Sequence, residues 1–255
     1  MPLSCPNASN RLLQQIGFSA CGRRPMTAGH WAARRAQLRA ALAIDGVLTT
    51  AQLTRRGWLK EADALALPRV TRTCRVRVTD AESGHDLTFV ALKPEQLQQA
   101  PRELMHLAGL GEARARLTLA EGEVWRHLTA RGAGGLGLAQ QWPDAEIVQS
   151  LDASRRSDWA VEFDAGYSRR RIREKVTAAA EAGFTRLYWA TSIHARTGSV
   201  LREINLLQAQ GKLPRVVQAE TRYVNFWSVR EPYEGRPRCH KAVGLSQVFT
   251  ATATR

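Results

Sequence analysis

The chain has 255 residues, of which 44% are hydrophobic and 24% charged, so it is long enough to bury a sizeable core in one large domain or two modest ones. Its 37 Lys and Arg residues outnumber its 23 acidic residues and give a net charge of +14, which favours a polyphosphate partner over a small neutral substrate, although a GC-rich coding sequence produces the same bias. No apolar run approaches the ~20 residues of a membrane span and the four cysteines form no CxxC pair, which argues against a membrane protein, a zinc ribbon and a disulfide framework and favours a reducing cytoplasm.

The first hundred residues predict a flexible arm, three helices and a hairpin. Residues 1–29 mix Pro, Ser, Asn and Gly with three arginines and indicate a flexible basic arm. Helical apolar spacing, followed by strict alternation, predicts the next elements. The predicted helices are 31–45, 51–56 and 59–67, and the predicted strands are 74–79 and 87–92. Three helices followed by a hairpin is the order of a winged-helix domain, which we place at residues 30–100.

Arginines cluster where the third predicted helix leads into the hairpin. They are Arg69, Arg72, Arg75 and Arg77. The third helix of a winged-helix domain enters the major groove and the hairpin lies along the backbone, so these side chains are predicted to contact DNA phosphates. The third helix itself carries Glu61 and Asp63, which argues against base-specific readout. The alternative is a protein-docking module whose arginines are merely solvated.

Residues 101–130 are predicted to be connecting helices. The apolar spacing indicates two helices, Gln96–Leu110 and Ala113–Leu128. His106 lies on the apolar side of the first helix and is interpreted as a structural residue. The glycine-rich stretch at 132–137 lacks the Lys-Ser or Lys-Thr of a P-loop and is interpreted as a flexible turn.

Acidic residues interrupt strand-like sequence in the second half of the chain. Side chains alternate along Trp159–Asp164, so Glu162 and Asp164 share one face of the predicted strand. The predicted helix that follows carries Lys175 at the edge of its apolar stripe, from which a flexible side chain can reach the end of the strand. A second predicted strand, Arg186–Thr191, completes a strand–helix–strand crossover and therefore predicts a partly parallel sheet.

The ordered set Pro143-Asp144, Glu162-x-Asp164 and a helical Lys175 resembles the PD-(D/E)xK nuclease superfamily. More narrowly, the segment is similar to the plasmid replication-relaxation proteins. Most of the superfamily carries a lysine where this chain has Asp164, and Lys175 would take its place from the neighbouring helix. The resemblance implies an α/β (α+β) fold, with an N-terminal winged helix-turn-helix domain and, at 131–230, a restriction-endonuclease-like mixed sheet flanked by helices.

The resemblance also implies the chemistry of a site. Asp144 and Glu162 would bind Mg²⁺ or Mn²⁺, and Asp164 would complete the ligand set or orient a water molecule. Lys175 would stabilise the charge that builds up on the scissile phosphate. Four arginines on the predicted helix would hold the DNA through its phosphates. They are Arg169, Arg170, Arg171 and Arg173.

The remaining sequence predicts a strand at Arg215–Ala219, a basic tail at 231–255 without a readable fold, and a helix whose inward-facing residues are Val200, Leu201, Ile204 and Leu207. The aromatic residues Tyr223, Phe226 and Trp227 are predicted to belong to the core or to a lid. If exposed, they would be placed to stack on unpaired bases.

Two functions are consistent with these residues. In the first, the chain is a DNA-binding protein of plasmid or mobile-element replication or maintenance that hydrolyses DNA phosphodiesters with a metal ion. In the second, it is a winged-helix regulator or replication accessory factor whose nuclease fold is inactive and needs no cofactor. Duplex or branched DNA is the expected partner in both, and a homodimer would match two-fold DNA. No membrane association is expected.

Overall fold

The computed structural model describes residues 28–77, 82–128, 142–148, 158–230 and 244–249. Most of the predicted arm, the glycine-rich stretch at 132–137 and most of the basic tail lie outside these ranges. The helices are α1 (Ala28–Asp45), α2 (Thr50–Arg55), α3 (Leu59–Ala64), α4 (Pro101–Arg116), α5 (Arg169–Glu181) and α6 (Arg196–Ala209), with a 3-10 helix at Pro94–Gln98. The strands are β1 (Val47–Thr49), β2 (Arg69–Arg77), β3 (Glu82–Ala91), β4 (Val124–His127), β5 (Ala145–Val148), β6 (Trp159–Asp164), β7 (Arg186–Thr191), β8 (Gln218–Tyr223) and β9 (Gly244–Val248).

The N-terminal unit consists of α1 to α3 and a three-stranded sheet in the order β1-β3-β2. The predicted succession of three helices and a hairpin is confirmed. Thr49 begins α2 with a capping box, in which its side chain accepts from the Gln52 backbone N–H while the Gln52 side chain accepts from the Thr49 N–H. Buried leucines, among them Leu38, Leu42 and Leu53, fill the space between the helices and the sheet.

The larger sheet has six strands in the order β4-β5-β6-β7-β8-β9. The neighbours β6, β7 and β8 run parallel and the other pairs are antiparallel, which confirms the predicted partly parallel sheet. Helices α5 and α6 are the crossovers of the parallel strands and cover one face, where Ile172, Val176 and Ile204 are buried. Helix α4 packs on the opposite face against β6 and β7. The chain is therefore a mixed α+β protein in which helices flank a mixed sheet.

One hydrophobic core joins the two sheets. Val47 and Phe89 of the N-terminal unit belong to the same buried cluster as Phe163 of β6 and Trp227. Hydrogen bonds reinforce this contact, because Thr49 donates to the carbonyl of Phe226. The N-terminal unit is consequently packed onto the face of the six-stranded sheet that α4 also covers.

The two helices predicted between residues 96 and 128 are wrong, the first in its bounds and the second in its kind of structure. The first is broken before Pro101, because the residue preceding a proline favours extended backbone and Ala100 has ψ of 150°. The second does not form, since Leu117 is extended after the end of α4 and Val124–His127 pair with β5 as an edge strand. The apolar residues of this segment fit both helical and strand spacing, and the pairing with β5 decides between them.

The C-terminal third also differs from the prediction in detail. The strand predicted at Arg215–Ala219 lies three residues later, where β8 pairs in parallel with β7. Part of the predicted unstructured tail forms β9, which pairs antiparallel with β8. Tyr223, Phe226 and Trp227 are buried and belong to the core, as one of the two alternatives predicted. Among the helices that the structure describes, none has the length and apolar character that a bilayer span requires.

Candidate functional site

Asp144 lies immediately before β5 and is fixed beside Glu162 by the pairing of β5 with β6. Its backbone N–H donates to the carbonyl of Val161 at 2.9 Å, and its Oδ2 accepts from the backbone N–H of Phe163 at 2.8 Å. Val161 and Phe163 precede and follow Glu162 in the chain, so these two hydrogen bonds hold Asp144 next to Glu162. Val161 and Phe163 pack on the α4 side of the sheet, and the alternation of the strand directs Glu162 to the side of α5.

Helix α5 delivers Lys175 to this carboxylate. Ser168 caps the helix by accepting from the Arg171 N–H, and Ile172 and Val176 form the buried stripe next to Lys175. The Lys175 Nζ donates to Glu162 Oε1 at 2.8 Å and to the carbonyl of Trp142 at 2.7 Å. The fold therefore brings together three of the predicted site residues, namely Asp144, Glu162 and Lys175.

The two carboxylates are buried, and their pKa values shift in opposite directions. Burial raises the pKa of Glu162 well above its usual value and the charge of Asp144 raises it further, while Lys175 acts in the opposite direction. Burial alone would raise the pKa of Asp144, but His106, Lys175 and the Phe163 N–H together lower it. Glu162 Oε2 is buried and accepts no hydrogen bond from the described residues. Two adjacent carboxyl groups with opposite pKa shifts and one unsatisfied oxygen favour either a shared proton or a cation between them.

His106 of α4 is a member of the site that the sequence-based interpretation assigned to the core. Its Nε2 lies 3.3 Å from Asp144 Oδ1, and its ring packs edge-on against Phe163 with 5.6 Å between the ring centroids. Burial lowers the pKa of His106, but the hydrogen bond and charge of Asp144 outweigh this effect and raise it. A histidine on the apolar side of a helix does not by itself reveal an acidic partner thirty-eight residues away.

Asp164 is on the predicted face of β6, yet its oxygens have other partners. Oδ1 accepts from the backbone N–H groups of Gly166 and Tyr167 at 2.6 and 2.5 Å. Oδ2 accepts from Arg196 Nε at 2.7 Å and from Trp189 Nε1 at 3.3 Å. The carboxylate is completely buried and shapes the turn between β6 and α5. Its described contacts thus differ from those of the Asp144 and Glu162 pair.

A cleft of about 480 Å³ opens where β6 and β7 end and α5 and α6 begin. Its lining includes Tyr167, Ser168, Arg169, Arg196, Ser199 and Glu203. Burial raises the pKa of Tyr167 in this lining, and the negative charges of Asp144 and Glu162 raise it further. The outer edge at the carboxyl ends of parallel strands is the usual place for ligands in open α/β sheets.

Of the four arginines predicted on α5, Arg169, Arg170 and Arg173 are exposed and Arg171 is half-buried, and each lies near a carboxylate. Arg173 Nε lies 2.6 Å from Glu203 Oε2 and Arg170 Nε lies 2.7 Å from Glu174 Oε1. The other two pairs are longer, 3.8 Å between Arg169 and Glu203 and 3.6 Å between Arg171 and Glu174. In the pairs that the described residues form, these four cations share the two carboxylates of Glu174 and Glu203.

The arginines predicted on β2 do not form a single surface. Arg69 and Arg75 are exposed on one face of the strand, and Arg69 lies 2.5 Å from Asp63 of α3. Arg72 is exposed on the other face, because neighbouring side chains of a strand alternate. Arg77 occupies the register position opposite Glu82 at the end of the hairpin.

The donor set fits a hard divalent cation that retains water ligands. Mg²⁺ is commonly held by one or two protein carboxylates, and the unsatisfied Glu162 Oε2 beside Asp144 provides such a pair. A group of three or more His, Cys, Asp or Glu side chains arranged for a metal ion does not occur among the residues described. Comparison of the chain with protein families, with curated proteins and with solved structures finds no match.

Proposed function

We propose that this chain is a DNA-binding protein with a metal-dependent phosphodiesterase site at Asp144, Glu162 and Lys175. The observation that carries the proposal is the contact of 2.8 Å between the Lys175 ammonium and the buried Glu162 carboxylate beside Asp144. The set of one cation and two carboxylates on a mixed sheet supports the resemblance to PD-(D/E)xK nucleases. The element order of the N-terminal unit supports a winged-helix domain, and the net charge of +14 supports a nucleic-acid partner.

In phosphodiester hydrolysis the residues of this site would have different roles. Asp144 and Glu162 would bind Mg²⁺ or Mn²⁺, which supplies Lewis-acid polarisation of the phosphate and acidifies a water molecule when bound. His106 and the Phe163 N–H orient the Asp144 carboxylate, since each binds one of its oxygens. Lys175 places positive charge where the phosphate gains negative charge in the transition state. The exposed arginines of α5 would hold the DNA backbone.

The same structure contains one observation that favours the non-catalytic alternative. Asp164 occupies the position where the resemblance leads one to expect a lysine, and its carboxylate is bound to Arg196. The active-site cation would thus have to come from α5 alone. In a winged-helix regulator or replication accessory factor with an inactive nuclease fold, these ion pairs would serve only to stabilise the folded protein.

The test is the cleavage of labelled linear, supercoiled and branched DNA with Mg²⁺ or Mn²⁺ and with EDTA. Wild-type protein is expected to cut in the presence of metal, and Glu162→Gln is expected to lose cutting. Glu220→Gln is the matched control, because it removes a half-buried carboxylate from β8 of the same sheet. DNA binding without cutting by the wild type would overturn the catalytic proposal and support the regulator.

A further inference from the structure

Trp142 is an exposed aromatic side chain at the candidate active site. The chain has seven tryptophans, all within the described ranges, and Trp142 is the only one of them that is exposed, at 49%. The others are buried or half-buried. They are Trp31, Trp58, Trp125, Trp159, Trp189 and Trp227. Burial of a tryptophan ring contributes a large favourable free energy, which an exposed ring does not gain. The exposure of Trp142 therefore suggests that the ring binds a partner.

The backbone of Trp142 is fixed to the active-site lysine. Its carbonyl accepts from Lys175 Nζ at 2.7 Å, and the same ammonium donates to Glu162. Pro143 follows directly and is buried, and a proline restricts both its own backbone and that of the preceding residue. The indole ring is therefore attached at the rim of the site, two residues from Asp144.

The surroundings of Trp142 favour a nucleobase over an apolar protein surface. The next six residues, 143–148, are all buried, so within the described stretch 142–148 the ring of Trp142 does not continue into an exposed apolar stripe. The other exposed large apolar side chains described lie on other elements. An exposed aromatic residue whose own carbonyl accepts from Lys175, in a chain of net charge +14, matches a nucleotide, which offers an aromatic face and a phosphate.

We propose that Trp142 stacks on an unpaired base while the adjacent phosphate faces Lys175, so that the site prefers DNA with unpaired nucleotides. The reason for this preference is that bases in a duplex already stack on one another and do not present a free face. Stacking of this kind tolerates any base sequence, since every base has an aromatic face. The inference rests on the proposed function and deepens it, because it names the class of DNA that the site accepts.

The experiment compares DNA binding in EDTA, where no cleavage occurs, for the wild type, Trp142→Leu and Trp142→Phe. The ligands are a single-stranded oligonucleotide, its duplex and a duplex with a short gap. Loss of stacking is expected to weaken binding of single-stranded and gapped DNA by about tenfold in Trp142→Leu, with less than about a twofold change for the duplex. Trp142→Phe is expected to bind nearly as the wild type does. Tryptophan fluorescence of the wild type is expected to be quenched by single-stranded DNA, and the quenching is expected to be much smaller in Trp142→Phe.

Leu206→Ala is the matched control, because Leu206 on α6 is exposed to the same degree, at 48%. It is expected to leave all three affinities unchanged. Equal weakening for duplex and single-stranded DNA in Trp142→Leu would overturn the inference, and so would unchanged affinity together with unchanged quenching. If the wild type binds DNA and the variants give either of these results, only the stacking by Trp142 is refuted. If the wild type binds no form of DNA, the proposed function is refuted as well.

Discussion

Glu162 and Asp164 lie two residues apart on the same face of β6, and their surroundings give them different properties. Glu162 has one oxygen bound to Lys175 and one buried oxygen without a described donor. Asp164 accepts four hydrogen bonds, from two backbone N–H groups, Arg196 and Trp189. A carboxylate with both oxygens satisfied stabilises the fold, while one with an open oxygen beside a second carboxylate can bind a cation.

Asp164→Asn tests this difference between the two acidic residues. The substitution leaves the mostly buried Arg196 without its counter-ion, and we expect it to lower the free energy of unfolding by about 3 kcal/mol in urea titrations. DNA cleavage, measured well below the melting temperature, is expected to persist. Asp144→Asn is the comparison and is expected to abolish cleavage. Complete loss of activity in Asp164→Asn with unchanged stability would show that Asp164 belongs to the reaction centre.

Helix α4 connects the acidic pair with both sheets. It carries His106 to Asp144, and at Gly109 its backbone comes so close to β6 that a Cβ atom built there would lie 2.2 Å from the Phe163 ring. The Phe163 ring is completely buried and packs against the rings of His106 and Phe226, which restrict its movement away from α4. The close approach of α4 to β6 is thus a condition for the contact between His106 and Asp144.

Gly109→Ala is expected to destabilise the protein although alanine is the better helix former. The gain in helix propensity is about 1 kcal/mol, and overpacking against Phe163 costs about 1–3 kcal/mol, so we expect a net loss in thermal unfolding. Gly198→Ala in α6 is the control, because its Cβ would lie 3.9 Å from Leu245, an ordinary contact. That variant is expected to be at least as stable as the wild type. Stabilisation by both substitutions would contradict the packing of α4 on β6.

Two adjacent arginines of α5 make it possible to distinguish DNA binding at the cleft from a general effect of surface charge. Arg169 is 82% exposed and lines the cleft, while Arg170 is 90% exposed, pairs with Glu174 and is not part of the lining. Arg169→Gln is expected to weaken DNA binding and to reduce the slope of log K against log salt concentration by about one. Arg170→Gln removes the same charge and is expected to have the smaller effect. Equal effects would mean that DNA responds only to net charge and does not follow the cleft.

On the scale of the whole molecule, a buried carboxylate joins the N-terminal unit to α4. The Glu112 carboxylate forms ion pairs with Arg55 at 3.0 Å, Arg56 at 3.2 Å and Arg116 at 3.1 Å. It also accepts a hydrogen bond of 3.1 Å from the side chain of Gln52. Burial would raise the pKa of Glu112, but the three arginines lower it below its usual value. The two units are consequently expected to unfold together in one transition.

Glu112→Gln is expected to lower the free energy of unfolding by about 3 kcal/mol at pH 7, because it leaves cations without their partner at a buried contact. A lowered pKa in the folded state stabilises the protein above the unfolded value, 4.5, and this contribution disappears as the pH falls through the folded value. The stability difference between the variant and the wild type is thus expected to shrink below pH 4.5. Urea titrations from pH 3.5 to pH 7 measure it, and a difference independent of pH would contradict an ionised Glu112.

The sequence was sufficient to predict the central elements because their patterns are unambiguous. The alternation of β6 and the helical stripe of α5 indicated a strand and a helix and pointed to an approach of Lys175 to the strand. The edge strands β4 and β9 are short, and their apolar residues fit other elements equally well. Local pattern could not find the partners of Asp144 and Asp164, since both contacts arise from the packing of distant elements, α4 for His106 and α6 for Arg196.

The measurement that tests the central claim most directly is Mn²⁺ binding followed by electron paramagnetic resonance, with Mg²⁺ as competitor. We expect one bound ion in the wild type, loss of that ion in Asp144→Asn and in Glu162→Gln, and its retention in Asp164→Asn. The reason is that Glu162 keeps a buried oxygen without a described donor next to Asp144, whereas both oxygens of Asp164 accept hydrogen bonds from other residues. A wild-type protein that binds no ion, or one that loses it only in Asp164→Asn, would contradict the assignment of the metal site.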